Sequence, residues 1–228
     1  MMLRNHPLAL GKRQLLGGCL AAATALPLAA VFPGPAEAAW SPSLFNSTEK
    51  PKKGLKPFPK WRGALDKFYE ERRDEPGTCA DLSFNRCHYQ EWFGEMERLR
   101  GVKLKTQLKD INRFMNNHKY IVDSINWGIK DYWASPGEFF QRNGDCEDYA
   151  IAKFLSLREM DVQVDELRLY IVDDLNLRVG HAILAVYAGR KVFILDNQLS
   201  IVVEAKRIRH YKPIYSLNEE GWWRHRVA

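Results

Sequence analysis

The chain contains 228 residues, of which 46% are hydrophobic, 12% aromatic and 27% charged. These proportions are typical of a globular protein with one main core, and they exclude a disordered or fibrous chain. No repeat of about 20–50 residues is visible, which excludes a solenoid or propeller. The formal net charge is +6. No basic stripe interleaved with aromatic residues follows any one element, so no nucleic-acid partner is expected.

The first 38 residues have the pattern of an export signal. Basic residues precede an uncharged stretch at residues 14–36 that is rich in Leu and Ala, and Ala36-Glu37-Ala38 resembles a signal-peptidase site. We therefore predict a signal peptide over residues 1–38 and a periplasmic mature protein. The alternatives are an uncleaved membrane anchor and a lipoprotein modified at Cys19.

Residues 39–60 follow, and they are rich in proline and lysine. This composition predicts a linker or a loosely attached tail. The folded domain is expected over residues 61–228.

The spacing of apolar residues changes along this domain, from a helical period in its first part to a strand-like period in its second. Helical spacing of apolar residues, together with start and stop signals, predicts helices over residues 64–73, 89–100, 104–118 and 146–160. Close spacing of β-branched and aromatic residues predicts strands over residues 167–172, 179–187, 191–195 and 200–203. Because the helices come first and the strands follow, we predict an α+β fold with the helices packed on one antiparallel sheet.

The cysteines outside the predicted signal fall into a pair and a single residue. Cys79 and Cys87 lie eight positions apart, which suits a local disulfide in an oxidising compartment. Zinc binding by these cysteines and His88 is an alternative, although the spacing is not a familiar zinc motif. Cys146 has no obvious partner, and an idle thiol in an exported protein calls for an explanation.

The position of Cys146 in the sequence offers an explanation for this unpaired thiol. The sequence Asn143-Gly-Asp-Cys predicts a turn in which Asp145 caps a helix that begins at Cys146. A helix N-terminus stabilises a thiolate through its exposed N–H groups and its dipole. Cys146 is therefore a candidate nucleophile, and a buried, inert cysteine is the alternative.

His181 and Asp196 are candidates for the base and its orienting partner. If Ala188-Gly189 forms a two-residue turn, His181 and Asp196 stand directly opposite each other on adjacent strands. Side chains in that arrangement are about 4.5–5.5 Å apart at Cβ, so the carboxylate could hold one imidazole nitrogen and leave the other for the thiol. A loop longer by one residue would place Asn197 there instead of Asp196.

Three carboxylates flank the thiol, at Asp145, Glu147 and Asp148. They oppose ionisation of the thiol unless they point away or a cation neutralises them. Carboxylate oxygens suit Ca²⁺, so we predict a calcium site formed by these three residues. A helix cap followed by a solvated acidic turn is the alternative.

Four segments resemble one family closely. They are WGIKDYWASP at residues 127–136, GDCEDYAIAK at 144–153, GHAILA at 180–185 and LDN at 195–197. These segments are similar to those of the bacterial transglutaminase-like cysteine proteinases, and the resemblance extends over roughly residues 100–225. It implies a papain-like, transglutaminase-like fold.

The resemblance also implies a function for the residues singled out above. Cys146, His181 and Asp196 match the family's catalytic triad, and Asp145, Glu147 and Asp148 match its calcium-binding acids. The family's characterised type releases a large repeat-containing surface adhesin by cleavage near the adhesin's N-terminus, which disperses biofilm. An inner-membrane receptor for cyclic-di-GMP sequesters that type of protease.

The leading hypothesis is therefore a periplasmic, calcium-dependent cysteine endopeptidase that processes a surface adhesin or another exported protein. A transglutaminase-type acyl transferase would use the same triad, with an amine instead of water resolving the acyl-enzyme. An inactive peptide-binding module is a third hypothesis, and an unreactive Cys146 would favour it.

Overall fold

The computed structural model describes residues 43–73, 78–80 and 86–227. The predicted signal peptide, residues 1–38, lies outside the described residues. In the described part of the chain, no helix combines the length and the apolar character that crossing a bilayer requires.

A seven-stranded sheet forms one layer of the fold, and every strand pairing in it is antiparallel. The strands are β1 (Ser47–Lys53), β2 (Leu167–Asp174), β3 (Val179–Ala188), β4 (Lys191–Leu195), β5 (Val203–Glu204), β6 (Tyr211–Leu217) and β7 (Gly221–Val227). Their order across the sheet is β1-β7-β6-β2-β3-β4-β5.

The helices precede the sheet along the chain, apart from β1. They are α1 (Pro59–Arg73), α2 (Arg86–Leu99), α3 (Leu104–Asn116), α4 (Asp123–Asn126), α5 (Pro136–Arg142) and α6 (Cys146–Glu159). The predicted α+β architecture, with helices on an antiparallel sheet, is confirmed. The four predicted helices and the first three predicted strands all form, with ends that move by a few residues.

Helix α6 lies at the centre of the helical layer. Its side chains from Asp148 to Leu157 are all buried, and the helix packs against β2, β3, α3 and α5. A helix that is buried all round belongs to the core of the domain. The sequence predicted only a stripe on this helix, defined by Ile151, Phe154 and Leu155.

The linker prediction for residues 39–60 is wrong for most of the described part. Ser47–Lys53 forms β1, which pairs along its whole length with β7 at the edge of the sheet. Pro51 and the three lysines of β1 misled the composition argument, because proline and lysine are also the residues that natural edge strands use. Helix α1 then begins at Pro59.

Strands β6 and β7 were not predicted from the residue pattern. Pro213 lies inside β6, and proline normally argues against a strand interior. The pairing register of β2 with β6 shifts between Ile171 and Val172, just where Pro213 is accommodated opposite Val172. Such an irregularity admits a residue that lacks a ladder donor.

The structure joins Cys79 and Cys87 in a disulfide. The disulfide reading of this pair is therefore supported, and the zinc reading with His88 is wrong because both thiols are consumed. Cys146 is the free cysteine among the described residues.

Strand β1 is fixed to the sheet by a buried ion pair as well as by its ladder. Glu49 accepts hydrogen bonds from Arg168 Nη1 at 2.7 Å and from Tyr170 Oη at 2.9 Å. The side chains of Glu49 and Arg168 are only 9% and 6% exposed. Removing one partner of such a pair leaves the other charge buried without compensation.

We predict that Glu49→Gln lowers the free energy of unfolding by about 3 kcal/mol, the usual cost of breaking a buried ion pair. Lys50→Gln, at the exposed neighbouring position of β1, is the matched control and should change it by less than about 0.5 kcal/mol. Urea unfolding of both variants measures the difference. Equal stability of the two variants would show that β1 is not held as described.

Candidate active site

Cys146 is the first residue of α6, and Asp145 is its N-cap, as predicted. The side chain is half-buried, and the backbone N–H of Ala182 is close enough to the thiol to lower its pKa. The thiol therefore lies near the residue that directly follows His181 in the chain. Helix α6 packs against β3, the strand that carries His181.

Gly144 is required before the helix because another side chain lies against it. A Cβ built at Gly144 would stand 2.6 Å from the Cβ of Asp148, which is closer than two carbon atoms can approach. Asp148 uses this space to accept hydrogen bonds from Asp145 N at 3.1 Å and Ala134 N at 2.8 Å. The glycine therefore permits the capping interaction that fixes the first turn of α6.

His181 and Asp196 are in direct contact. His181 Nε2 lies 2.9 Å from Asp196 Oδ1, and both side chains are almost fully buried. Because a carboxylate accepts, the ring proton is on Nε2 and Nδ1 is the nitrogen left for another partner. Asp196 is held in turn by Tyr211 Oη at 2.5 Å and by the N–H of Gln198 at 2.9 Å.

The route to this contact differs from the prediction. The turn residues are Gly189 and Arg190 instead of Ala188 and Gly189, since Ala188 pairs with Lys191. The register is therefore shifted by two residues, and Asp196 lies diagonal to His181. A two-residue shift preserves the face on which each side chain lies, and diagonal neighbours remain within reach of long side chains.

The thiol of Cys146 donates a hydrogen bond to Glu147 Oε2 at 3.1 Å. Burial raises the pKa of this thiol, and the Glu147 and Asp145 carboxylates raise it further, whereas the Ala182 N–H lowers it. The carboxylates next to Cys146 therefore favour the protonated, unreactive thiol. The conflict that the sequence suggested between acids and nucleophile is present in the structure.

The acids beside Cys146 form a larger cluster than the sequence predicted. Carboxylate oxygens of Asp123, Asp131 and Glu147 lie within 4.8 Å of one another, as do those of Asp123, Asp145 and Asp148. Asp123 begins α4, and Asp131 lies in the aromatic segment before α5. Both lie more than ten positions before the Gly-Asp-Cys turn, so no local motif reveals them.

The cluster fits a hard cation such as Ca²⁺. Its ligand atoms are carboxylate oxygens, and Ca²⁺ takes about 6–8 oxygens in a flexible geometry. Asp123 Oδ1 and Asp145 Oδ1 are buried and have no hydrogen-bond partner among the described residues. Burial, followed by repulsion from Glu147, raises the pKa of Asp145 to about 8. Asp148 belongs to the cluster, but its two oxygens already accept backbone N–H groups.

Comparison with known proteins places this site in a family. Residues 79–225 match the model of the bacterial transglutaminase-like cysteine proteinases. The structure is similar to that of Legionella pneumophila LapG, with 32% sequence identity and a TM-score of 0.58, over 70% of this chain and 87% of the LapG chain.

Two further LapG structures give similar matches. Calcium-bound LapG matches with the same identity, coverage and TM-score. EGTA-treated LapG also has 32% identity and a TM-score of 0.58, over 70% of this chain and 84% of that chain. No match was found among curated proteins.

The family match covers more than half of the chain and contains every candidate catalytic and metal-binding residue described above. It extends to Cys79, beyond the part from residue 100 onward in which the sequence motifs resemble the family. The likeness to LapG supports the same fold. The chain therefore belongs to the bacterial transglutaminase-like cysteine proteinases.

Proposed function

We propose that this protein is a calcium-dependent cysteine endopeptidase of the periplasm that cleaves a surface adhesin, with Cys146, His181 and Asp196 as its catalytic triad. The observation that carries the proposal is the contact of His181 Nε2 with Asp196 Oδ1 at 2.9 Å, next to a cysteine at the N-terminus of a buried helix. The helix N-terminus supports Cys146 as the nucleophile, and the contact supports Asp196 as the residue that orients His181.

The proposal gives each of the three residues a role. Asp196 accepts from Nε2 and fixes the ring tautomer, so His181 presents Nδ1 as the base that takes the thiol proton. The Cys146 sulfur then attacks the substrate carbonyl, and His181 returns the proton to the leaving amine. Water resolves the acyl-enzyme with His181 again acting as the base.

The oxyanion of the tetrahedral intermediate requires N–H donors. The Cys146 N–H stands at the start of α6, where backbone donors have no partner within the helix. The indole of Trp127 is a second candidate, because its buried Nε1 has no acceptor among the described residues.

The acidic cluster explains why a cation would be required. Asp123, Asp131, Asp145 and Glu147 would hold calcium, with Asp148 shaping the turn beneath it. When bound, the ion supplies positive charge that offsets the carboxylates around the thiol. With the ion bound, the Glu147 carboxylate would attract the proton of the Cys146 thiol less strongly. The match to calcium-bound LapG supports this assignment.

The location and the substrate are proposed from the sequence. The signal-like pattern of residues 1–38 and the Cys79–Cys87 disulfide both suit an oxidising compartment outside the cytoplasm. The resemblance to the adhesin-releasing family supports a repeat-containing adhesin as substrate. It also supports an inner-membrane cyclic-di-GMP receptor as the protein that restrains the protease.

The direct test is cleavage of the N-terminal region of a repeat-containing surface adhesin encoded in the same genome. Residues 39–228 and the Cys146→Ala variant are each incubated with it, with excess calcium and with excess EGTA. We expect cleavage only by the unmodified chain in calcium, because the thiol is the nucleophile and the acids must be neutralised. Intact mass of the products gives the cleavage site.

The outcomes separate the parts of the proposal. Cleavage in EGTA would contradict calcium dependence and leave the triad standing. Incorporation of an added amine at the cleaved carbonyl would identify an acyl transferase. Absence of cleavage together with a Cys146 that iodoacetamide does not modify would contradict the enzyme and favour a binding module.

A second prediction concerns Asp123, which the sequence did not reveal. We expect Asp123→Asn to weaken calcium binding by about tenfold or more, because the charge of the ligand set tunes the affinity. Calorimetric titration measures this. Calcium at about 100 times its dissociation constant should stabilise the unmodified protein by about 2.7 kcal/mol.

The exposed Asp165, in the short 3-10 helix Val164–Glu166, offers a matched control. Asp165→Asn removes the same charge away from the cluster and should leave the calcium affinity unchanged. Equal affinities of Asp123→Asn and Asp165→Asn would place the ion elsewhere.

A further inference from the structure

Lys153 is a buried cation that the proposed reaction does not use. It lies on α6, seven residues after Cys146, which is two helical turns and therefore the same side of the helix. Its side chain has no exposed surface. Lysine is among the residues that are almost never fully buried unless they are paired.

No direct hydrogen bond compensates this burial. Lys153 Nζ has no acceptor within hydrogen-bond distance among the described residues, and its nearest aromatic contact is the Tyr149 ring, with the centroid 5.7 Å away. The carboxylate whose attraction acts on Lys153 is that of Asp196. Burial of an amine without a hydrogen bond costs free energy that an apolar residue of similar volume would not cost. The lysine therefore calls for an explanation other than stability.

The polar groups around Asp196 provide one. Asn116 Nδ2 donates to the carbonyl of Asp196 at 2.9 Å and to that of Leu199 at 3.0 Å, and Asn112 Nδ2 donates to Leu199 at 3.0 Å. The amide oxygens of Asn112, Asn116 and Asn197 are buried and have no donor. A buried amine that lacks acceptors is thus within electrostatic reach of Asp196, and the segment that begins at Asp196 is bordered by buried acceptors that lack donors.

We propose that Lys153 is a positioning residue for the triad. Through hydrogen bonds bridged by ordered water, its amine holds residues 196–199 and the amide oxygens of Asn116 and Asn197, so that Asp196 Oδ1 remains on His181 Nε2. Buried water commonly connects polar groups that cannot reach each other directly, and a site with several such groups is suited to it. The inference rests on the triad proposed above.

The protonation state of the amine does not decide this role. Burial lowers the pKa of Lys153 to about 7, and the attraction of Asp196 opposes that shift. Both the ammonium and the neutral amine carry N–H donors. Lys153 can therefore support the Asp196 segment on either side of neutral pH.

The test uses Lys153→Met, which keeps the length of the side chain and removes the amine. Histidine-¹⁵N-labelled protein in calcium reports the His181 tautomer and its Nε2-bound proton, assigned by loss of the signal in His181→Gln. We expect Lys153→Met to lose or broaden this signal. We also expect it to slow iodoacetamide modification of Cys146 by about tenfold or more, since small displacements at a reacting group have effects of this size. The melting temperature should stay the same or rise.

Ser156→Ala is the matched control. Ser156 is a buried polar residue of the same helix. Its hydroxyl accepts a hydrogen bond from Trp92 Nε1 at 2.7 Å and donates one to the carbonyl of Ala152, so its partners are not those of the Asp196 segment. Its loss should lower the melting temperature and leave the His181 signal and the thiol reactivity unchanged. Lys153→Gln retains an N–H donor on a shorter side chain, so we expect it to lose the His181 signal and the alkylation rate only in part. This variant replaces Lys153→Met should Lys153→Met not fold.

The results distinguish the two proposals. A wild-type His181 signal and a wild-type alkylation rate in the Lys153 variants would overturn the positioning role. If His181→Gln itself left the alkylation rate unchanged, the triad would fail and the role of Lys153 with it. Loss of the His181 signal in Lys153→Met, with slower modification of Cys146 by iodoacetamide and an unchanged fold, would support both proposals.

Discussion

The architecture of this protein depends on the burial of α6, from Asp148 to Leu157, between the sheet and the other helices. Close-packed interiors resist sliding or rotation of an element, because either motion opens cavities or forces overlaps. The position of Cys146 near Ala182 is therefore set by side chains such as Phe154 and Leu155, which lie far along the helix and are fully buried. The geometry of the site is a consequence of core packing two to three turns away.

The same burial creates an electrostatic difficulty at the start of the helix. A helix N-terminus favours negative charge, but here several carboxylates and a thiol compete for one partly dehydrated space. Gly144 makes the crowding possible by admitting Asp148 against the backbone. The fold thus holds like charges close together where an apolar or neutral arrangement would be more stable, as is common where function constrains the residues.

Much of the fold and of the site could be predicted from the sequence, and the exceptions have physical reasons. The start of α6 and strands β2 to β4 were predicted because their signals are local: a cap, a period of 3.6, a period of two. Strand β1 was missed since its partner β7 lies about 170 positions away, beyond any local pattern. The contact of His181 with Asp196 was predicted although the turn was misplaced, because the error of two residues matches the period of a strand.

The acids of the candidate metal site that are neighbours in the sequence were predicted, whereas the acids that only the fold brings to the site were missed. Asp145, Glu147 and Asp148 share one turn, whereas Asp123 and Asp131 join them only after α4 and the loop behind it fold back. The burial of Lys153 was also not predictable, because the helical period places it beside residues that an amphipathic helix would expose to solvent.

The pairing of β1 with β7 has a consequence for how the protein is made. The sheet is completed by residues 47–53 and 221–227, which are among the first and the last of the described chain. Contacts between residues so far apart in sequence slow folding, because a long loop must close before the pairing contributes any stability. During synthesis, β1 therefore has no partner until residues 221–227 have been made. Removal of these seven residues, which are the whole of β7, would leave β1 without a partner strand and β6 with an unpaired edge.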